Sequence, residues 1–230
     1  MSRLSFWDHV EAFRLAILRS GWTIFIATLL AFCFHKQLFF IFVAPLGFEK
    51  CYLLSPLEGF SAAAKLSFWI GLIFSSPLWI FFLLSFFLPA LKKREKRLLF
   101  PFLLCSIICI AAGILFAYHF TLPLVIRFFL SFNASLGENL WSVGKSLDLV
   151  MSLLLAHGII FEFYVILLFL IRCDLCSYSL LKKVRRGVIV AIFILAAVLT
   201  PPDVFSQLLL AFPMLILFEG ALLYARYRRK

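Results

Sequence analysis

The chain has 230 residues, of which 64% are hydrophobic, 18% aromatic and only 14% charged, with a formal net charge of +11. Its mean hydropathy is +1.08. Soluble domains run nearer about 45–50% apolar and about 25% charged, so one water-soluble globule and a disordered chain are both excluded.

Several uncharged stretches approach or exceed the ~20 residues that a helix needs to cross a hydrocarbon core ~30 Å thick. Uninterrupted apolar runs predict six helices, near Leu15 to Phe34, Leu66 to Leu91, Leu98 to Phe120, Val150 to Ile171, Gly187 to Thr200 and Val204 to Tyr224. Lipid offers the backbone no partners, so each run is read as a helix; a β-barrel would alternate apolar and polar residues instead. The fold class is therefore all-α, a polytopic membrane protein forming a single integral membrane domain over residues 1–230.

The first run follows an arm carrying Asp8 and Glu11, is flanked by Arg14 and Arg19, and lacks a small-residue cleavage site. It reads as a permanent helix and not a signal peptide, and the absence of transit-peptide composition favours a bacterial inner membrane. Pro89 ends the second helix, and Glu95 then stands amid Lys92, Lys93, Arg94, Lys96 and Arg97. Glu95 has two available roles: local ion pairing at a helix start, or an acceptor for an incoming cation, for which a guanidinium suits a carboxylate best.

Glu162 falls inside the fourth apolar run, with no basic residue at comparable depth. A charged carboxylate there costs about 2.5–3.5 kcal/mol on insertion scales. It must be protonated, face water or meet a group from another molecule; Gly158, one turn earlier, would allow a close helix approach. The fifth and sixth runs are short: 16 uncharged residues separate Arg186 from Asp203 and 15 separate Asp203 from Glu219. They reach about 24 Å and about 22 Å, less than a bilayer core. Between them Thr200, Pro201, Pro202 and Asp203 form a turn in which the prolines stop one helix and Asp203 caps the next. Glu219 lies within two turns of Arg226, leaving structural and functional roles open.

Basic residues in short loops are retained in the cytoplasm. The amino-terminal arm, the second-to-third and fourth-to-fifth connections and the tail hold 17 of the 22 Lys and Arg residues. Both termini are accordingly expected in the cytoplasm, and the net charge reads as a topology signal that also meets anionic lipid, not as a nucleic-acid face.

Of 6 cysteines, Cys105 and Cys109 read as helix packing. Cys173 and Cys176 form a CxxC without a redox or zinc context, and Cys33 and Cys51 lie towards the outer face, with pairing left open. The four histidines, His9, His35, His119 and His157, show no metal-ligand spacing, so no metal and no cofactor is assigned.

At this point the chain resembles the TatC family, the multispanning receptor of the twin-arginine protein translocase. The likeness rests on LTPPDVFSQ at Leu199 to Gln207 with Pro213 and Phe218-Glu219, on LPALKKREKR at Leu88 to Arg97, on Phe161-Glu162, on Ala44-Pro45-Leu46, and on HVEAFR at His9 to Arg14. It implies a cup-shaped six-helix protein that binds the twin-arginine signal peptides of folded cargo on its cytoplasmic face for export driven by the proton gradient. By that likeness Glu95 accepts signal arginines, Glu11 and Arg14 contribute nearby, and Leu91, Arg94 and Arg97 shape the patch. Where the family pattern has His before the loop glutamate, this chain has Arg94. Glu162 matches an intramembrane acid facing a hydrated concave surface, and Thr200, Asp203 and Gln207 match positions that dock the single-span subunits TatA and TatB. The chain is not read as an enzyme. The competing reading is a small proton-coupled secondary transporter using Glu162, against which stands the lack of an internal repeat.

Overall fold

The computed structural model describes residues 6–42, 51–87, 99–134, 136–137, 141–200 and 203–228. Leu91, Arg94, Glu95 and Arg97, with Ala44-Pro45-Leu46 and Pro201-Pro202, lie outside the described residues. In chain order come α1 (Phe6–Cys33), α2 (His35–Phe42), β1 (Cys51–Tyr52), α3 (Glu58–Phe74), α4 (Ser76–Phe87), α5 (Leu99–Phe116), a π-turn (Ala117–Thr121), α6 (Leu122–Asn133), β2 (Trp141–Ser142), α7 (Val143–Arg172), α8 (Tyr178–Leu199) and α9 (Val204–Arg228). Four described helical stretches are long and apolar enough to cross a membrane, or five if α3 and α4 count as one bent span.

The apolar runs locate these helices except α2 and α6, which lie beyond the predicted ends of the first and third runs, and they do not show the helices' irregularities. The second run is broken: α3 and α4 are bent by 57° at Ser75. Pro77 explains the break, since it has no N–H to give and its ring collides with the preceding turn. The Leu72 carbonyl, close to the bend, accepts a hydrogen bond from Trp79 Nε1 at 3.1 Å.

The third run continues from Phe100 to Asn133. Pro123 stands at the start of α6, where it withholds the next ladder hydrogen bond. The backbone answers by widening, and the Leu122 N–H reaches five residues back to the carbonyl of Ala117. The first, fourth and fifth helices also begin earlier than expected, α1 at Phe6, α7 at Val143 and α8, expected to be short, at Tyr178, which makes it 22 residues long, because polar residues at a span's end can remain helical outside lipid. The expected short sixth helix is continuous for 25 residues and qualifies as a span. Its shortness is confined to the uncharged stretch before Glu219.

Two compact units divide the chain, Met1–Phe39 with Ala63–Ile107, and Phe40–Ala62 with Ile108–Lys230. In the first, α1 packs along α4, and the Ser20 hydroxyl donates to the Trp79 carbonyl at 3.3 Å. Gly71 lets the chain come so close that a Cβ there would lie 2.7 Å from the backbone of Thr28.

The core of the second unit is shared by α7, α8 and α9. Ala156, Ala196, Leu210 and Ala221 are fully buried in it. Three of these are alanines, the small residues that allow membrane helices to approach closely. The same unit holds the parallel pair β1–β2, in which Cys51 faces Trp141 and Tyr52 faces Ser142.

Candidate functional site

The amino-terminal part of the expected peptide site is helical. Glu11 and Arg14 both lie exposed on α1, and a spacing of three puts them on one helical face. The remaining members, Leu91, Arg94, Glu95 and Arg97, lie outside the described residues.

Glu162 is half-buried in α7, ten residues and therefore about 15 Å before that helix ends. The seam beneath it is held by His157, Thr121 and Phe116, to which the sequence assigned no role, together with Phe161. His157 is fully buried; its Nδ1 lies 2.8 Å from the Leu153 carbonyl and its Nε2 3.0 Å from Thr121 Oγ1 in the π-turn. Phe116 packs its ring against both His157 and Phe161. The close-approach glycine is Gly113 of α5, not Gly158: a Cβ at 113 would stand 2.7 Å from the His157 carbonyl, whereas one at 158 meets nothing nearer than 3.8 Å. The π-turn thus carries Thr121 to the histidine, and α7 is pinned one to two turns before its acidic residue.

At the α8–α9 turn, Thr200 is buried and extended, and its hydroxyl donates back to Ala196 at 2.8 Å. Asp203 Oδ1 accepts the Ser206 N–H at 2.6 Å, the expected helix cap. Its Oδ2 is shielded from water and unbonded among the described residues. Gln207 donates from Nε2 to the Phe193 carbonyl at 3.0 Å, joining the two helices. The three residues assigned to docking therefore first shape the hairpin itself.

Glu219 pairs with Arg185 of α8 at 2.7 Å, since antiparallel helices bring that side chain alongside. Arg228 continues the same end: it donates to the Ile171 carbonyl and lies 3.2 Å from Asp174. Asp174 has φ 60°, and the N–H groups of Asp174 and Leu175 bond back to Ile171 and Leu170. That pattern is a Schellman stop with Asp where glycine is usual, and Arg228 secures it.

At the opposite end of α7 lies Glu58, absent from the sequence reading. Its carboxylate accepts from Leu54 N at 2.5 Å, from Gly144 N at 2.8 Å and from the Ser142 hydroxyl. Ser142 also caps α7 through Lys145 N. One side chain thus clasps two connecting segments across more than eighty residues of sequence.

Cys33 is an exposed free thiol. Cys176 is likewise free, and burial pushes its thiol up from the ordinary range.

The family described as Sec-independent protein translocase protein (TatC) matches residues 8–213. A Sec-independent protein translocase protein TatC from Carboxydothermus hydrogenoformans is 31% identical over 227 residues, covering 97% of this chain and 93% of that protein. One from Magnetococcus marinus is 34% identical over 224 residues, covering 95% and 83%. The chloroplastic TATC of Pisum sativum is 34% identical over 220 residues, covering 94% and 62%. A solved structure described as the crystal structure of the twin arginine translocase receptor TatC aligns with a TM-score of 0.86 at 32% identity, over 96% of this chain and 100% of that one.

Proposed function

The chain belongs to the TatC family, and from that premise we propose that it is the receptor and core subunit of a twin-arginine protein translocase. In this reading it binds the twin-arginine signal peptides of folded proteins for export driven by the proton gradient. The observation that carries the proposal is the agreement of fold with the twin arginine translocase receptor over 96% of the chain.

Six crossings with both termini cytoplasmic follow if α3–α4 and α5–α6 each make one span beside α1, α7, α8 and α9. The placement of 17 of 22 basic residues on one side supports that orientation. The setting is a bacterial cytoplasmic membrane, and the overall form a cup. On its cytoplasmic face Glu95 accepts a signal arginine in a bidentate pair, which fixes orientation as well as charge and which lysine cannot reproduce. Glu11 adds a second carboxylate, while Leu91, Arg94, Arg97 and Arg14 border the patch; the exposure of Glu11 and Arg14 supports their availability.

Glu162 faces the hydrated concave surface, a place consistent with the cost of a carboxylate in lipid. TatA-like and TatB-like single-span subunits dock at the hairpin shaped by Thr200, Asp203 and Gln207. The apolar ridge of Val204, Leu208 and Phe212 beside it, each more than half exposed, favours this.

The test is a photo-crosslinker in place of Phe13, an exposed α1 residue between Glu11 and Arg14. It should label a twin-arginine signal peptide and leave a twin-lysine peptide unlabelled. Equal labelling of both would refute the assigned site.

A further inference from the structure

Beyond peptide recognition, the second unit contains an apolar cavity of about 330 Å³ between α7, α8 and α9. Ile160, Leu167 and Leu170 of α7, Val188 and Leu195 of α8 and Phe218 of α9 line it. Walls of this kind accept hydrocarbon and offer a polar ligand nothing to bond.

The chemistry changes at its flank. Arg185 lies four residues after Leu181 and three before Val188, both of which line the cavity, so it shares their face of α8. Glu219 follows the lining residue Phe218, so the Arg185–Glu219 pair at 2.7 Å flanks the cavity beside Leu181, Val188 and Phe218. Only Arg185 Nε is engaged in that contact, leaving the outer edge of a five-donor guanidinium for another oxyanion. Lys182, Lys183 and Arg186 are exposed on the neighbouring turns. Four cations stand against one carboxylate, since the nearby Asp174 is engaged by Arg228.

We propose that this cavity is a binding site for an anionic phospholipid, one acyl chain filling the groove and the phosphate held beside it by Arg185 and the lysines. The apolar walls fix the hydrocarbon, and the charge excess selects an anionic headgroup over a zwitterionic one. The site is independent of the peptide-binding patch, which uses other residues in the other unit.

The experiment is native mass spectrometry of the full chain in detergent, offered equal amounts of palmitoyl-oleoyl phosphatidylglycerol and palmitoyl-oleoyl phosphatidylcholine. The wild-type chain should retain one phosphatidylglycerol in preference to phosphatidylcholine. The double variant Lys182→Gln/Lys183→Gln, whose side chains are exposed and leave the core untouched, should lower that preference by about fivefold or more, the worth of one basic contact. Leu195→Trp, which fills the groove, should abolish retention of both lipids. Equal retention by the wild type, an unchanged preference in the lysine variant, or a copurifying polypeptide in place of the lipid would each overturn the proposal.

Discussion

Replacing Gly113 by alanine should destabilise the protein far more than the same change at Gly158. A Cβ at 113 would lie 2.7 Å from the His157 carbonyl oxygen and 2.9 Å from Phe161 Cγ. Carbon atoms in good contact sit about 3.5–4.0 Å apart, so α5 and α7 must separate by at least about half an ångström. That separation loosens the Phe116 contacts and the 3.0 Å Thr121–His157 hydrogen bond along the same seam. Overpacking of this kind costs about 1–3 kcal/mol, which for a chain of this size lowers Tm by about 2–12 °C. At Gly158 the new methyl group meets Ile114 at 3.8 Å and Ile110 at 3.9 Å, ordinary contacts, and alanine's helix propensity adds up to about 1 kcal/mol. Gly158→Ala should be neutral or stabilising. Thermal unfolding of the full chain in detergent reads both variants. A Gly113→Ala protein with wild-type Tm, or equal losses at the two positions, would refute the packing argument.

Glu58→Ala should release the segments around Leu54 and Ser142, seen as faster limited proteolysis there, while distant cleavage sites keep their rates; an unchanged pattern would show that the clasp does not hold them. Cys176 should alkylate slowly at neutral pH and more readily as the pH rises beyond the ordinary thiol range, because burial disfavours its thiolate; peptide mass spectrometry of the labelled chain checks this, and a midpoint below that of an ordinary thiol would contradict it. Asp203→Ala should cost about 0.5–2 kcal/mol through the lost cap, with Asp203→Asn retaining most of it, as measured by thermal unfolding; equal losses would mean that the cap is not what Asp203 contributes.

How much could be read from the residues depended on the range of the interaction. Continuous apolar runs marked the helices other than α2 and α6, because burial in lipid and backbone satisfaction act on each run by itself. The Asp203 cap was legible for the same reason, its acceptor and donor being three residues apart. The 57° bend and the π-turn were not, since Pro77 and Pro123 sit within apolar runs and hydropathy does not register a missing N–H. Long-range partners were the least accessible. Glu58 meets Ser142 and Gly144 across the chain, Glu219 finds Arg185 on the neighbouring helix, and the tight glycine is Gly113 instead of Gly158. Each depends on which helix lies alongside. In the site, Glu162 stood out because a lone acid among apolar residues is costly, whereas His157 resembled any scattered histidine until Thr121 was brought beside it.

The central claim, a receptor for paired arginines, is tested most directly by the affinity of a twin-arginine signal peptide for the full chain in lipid nanodiscs. The wild type should bind it at least about tenfold more tightly than a twin-lysine peptide, and Glu95→Gln should erase most of that difference, because truncating one side of a hydrogen-bonded charge pair costs about 2–5 kcal/mol. Equal affinities for the two peptides, or a Glu95→Gln chain that discriminates as well as the wild type, would contradict it.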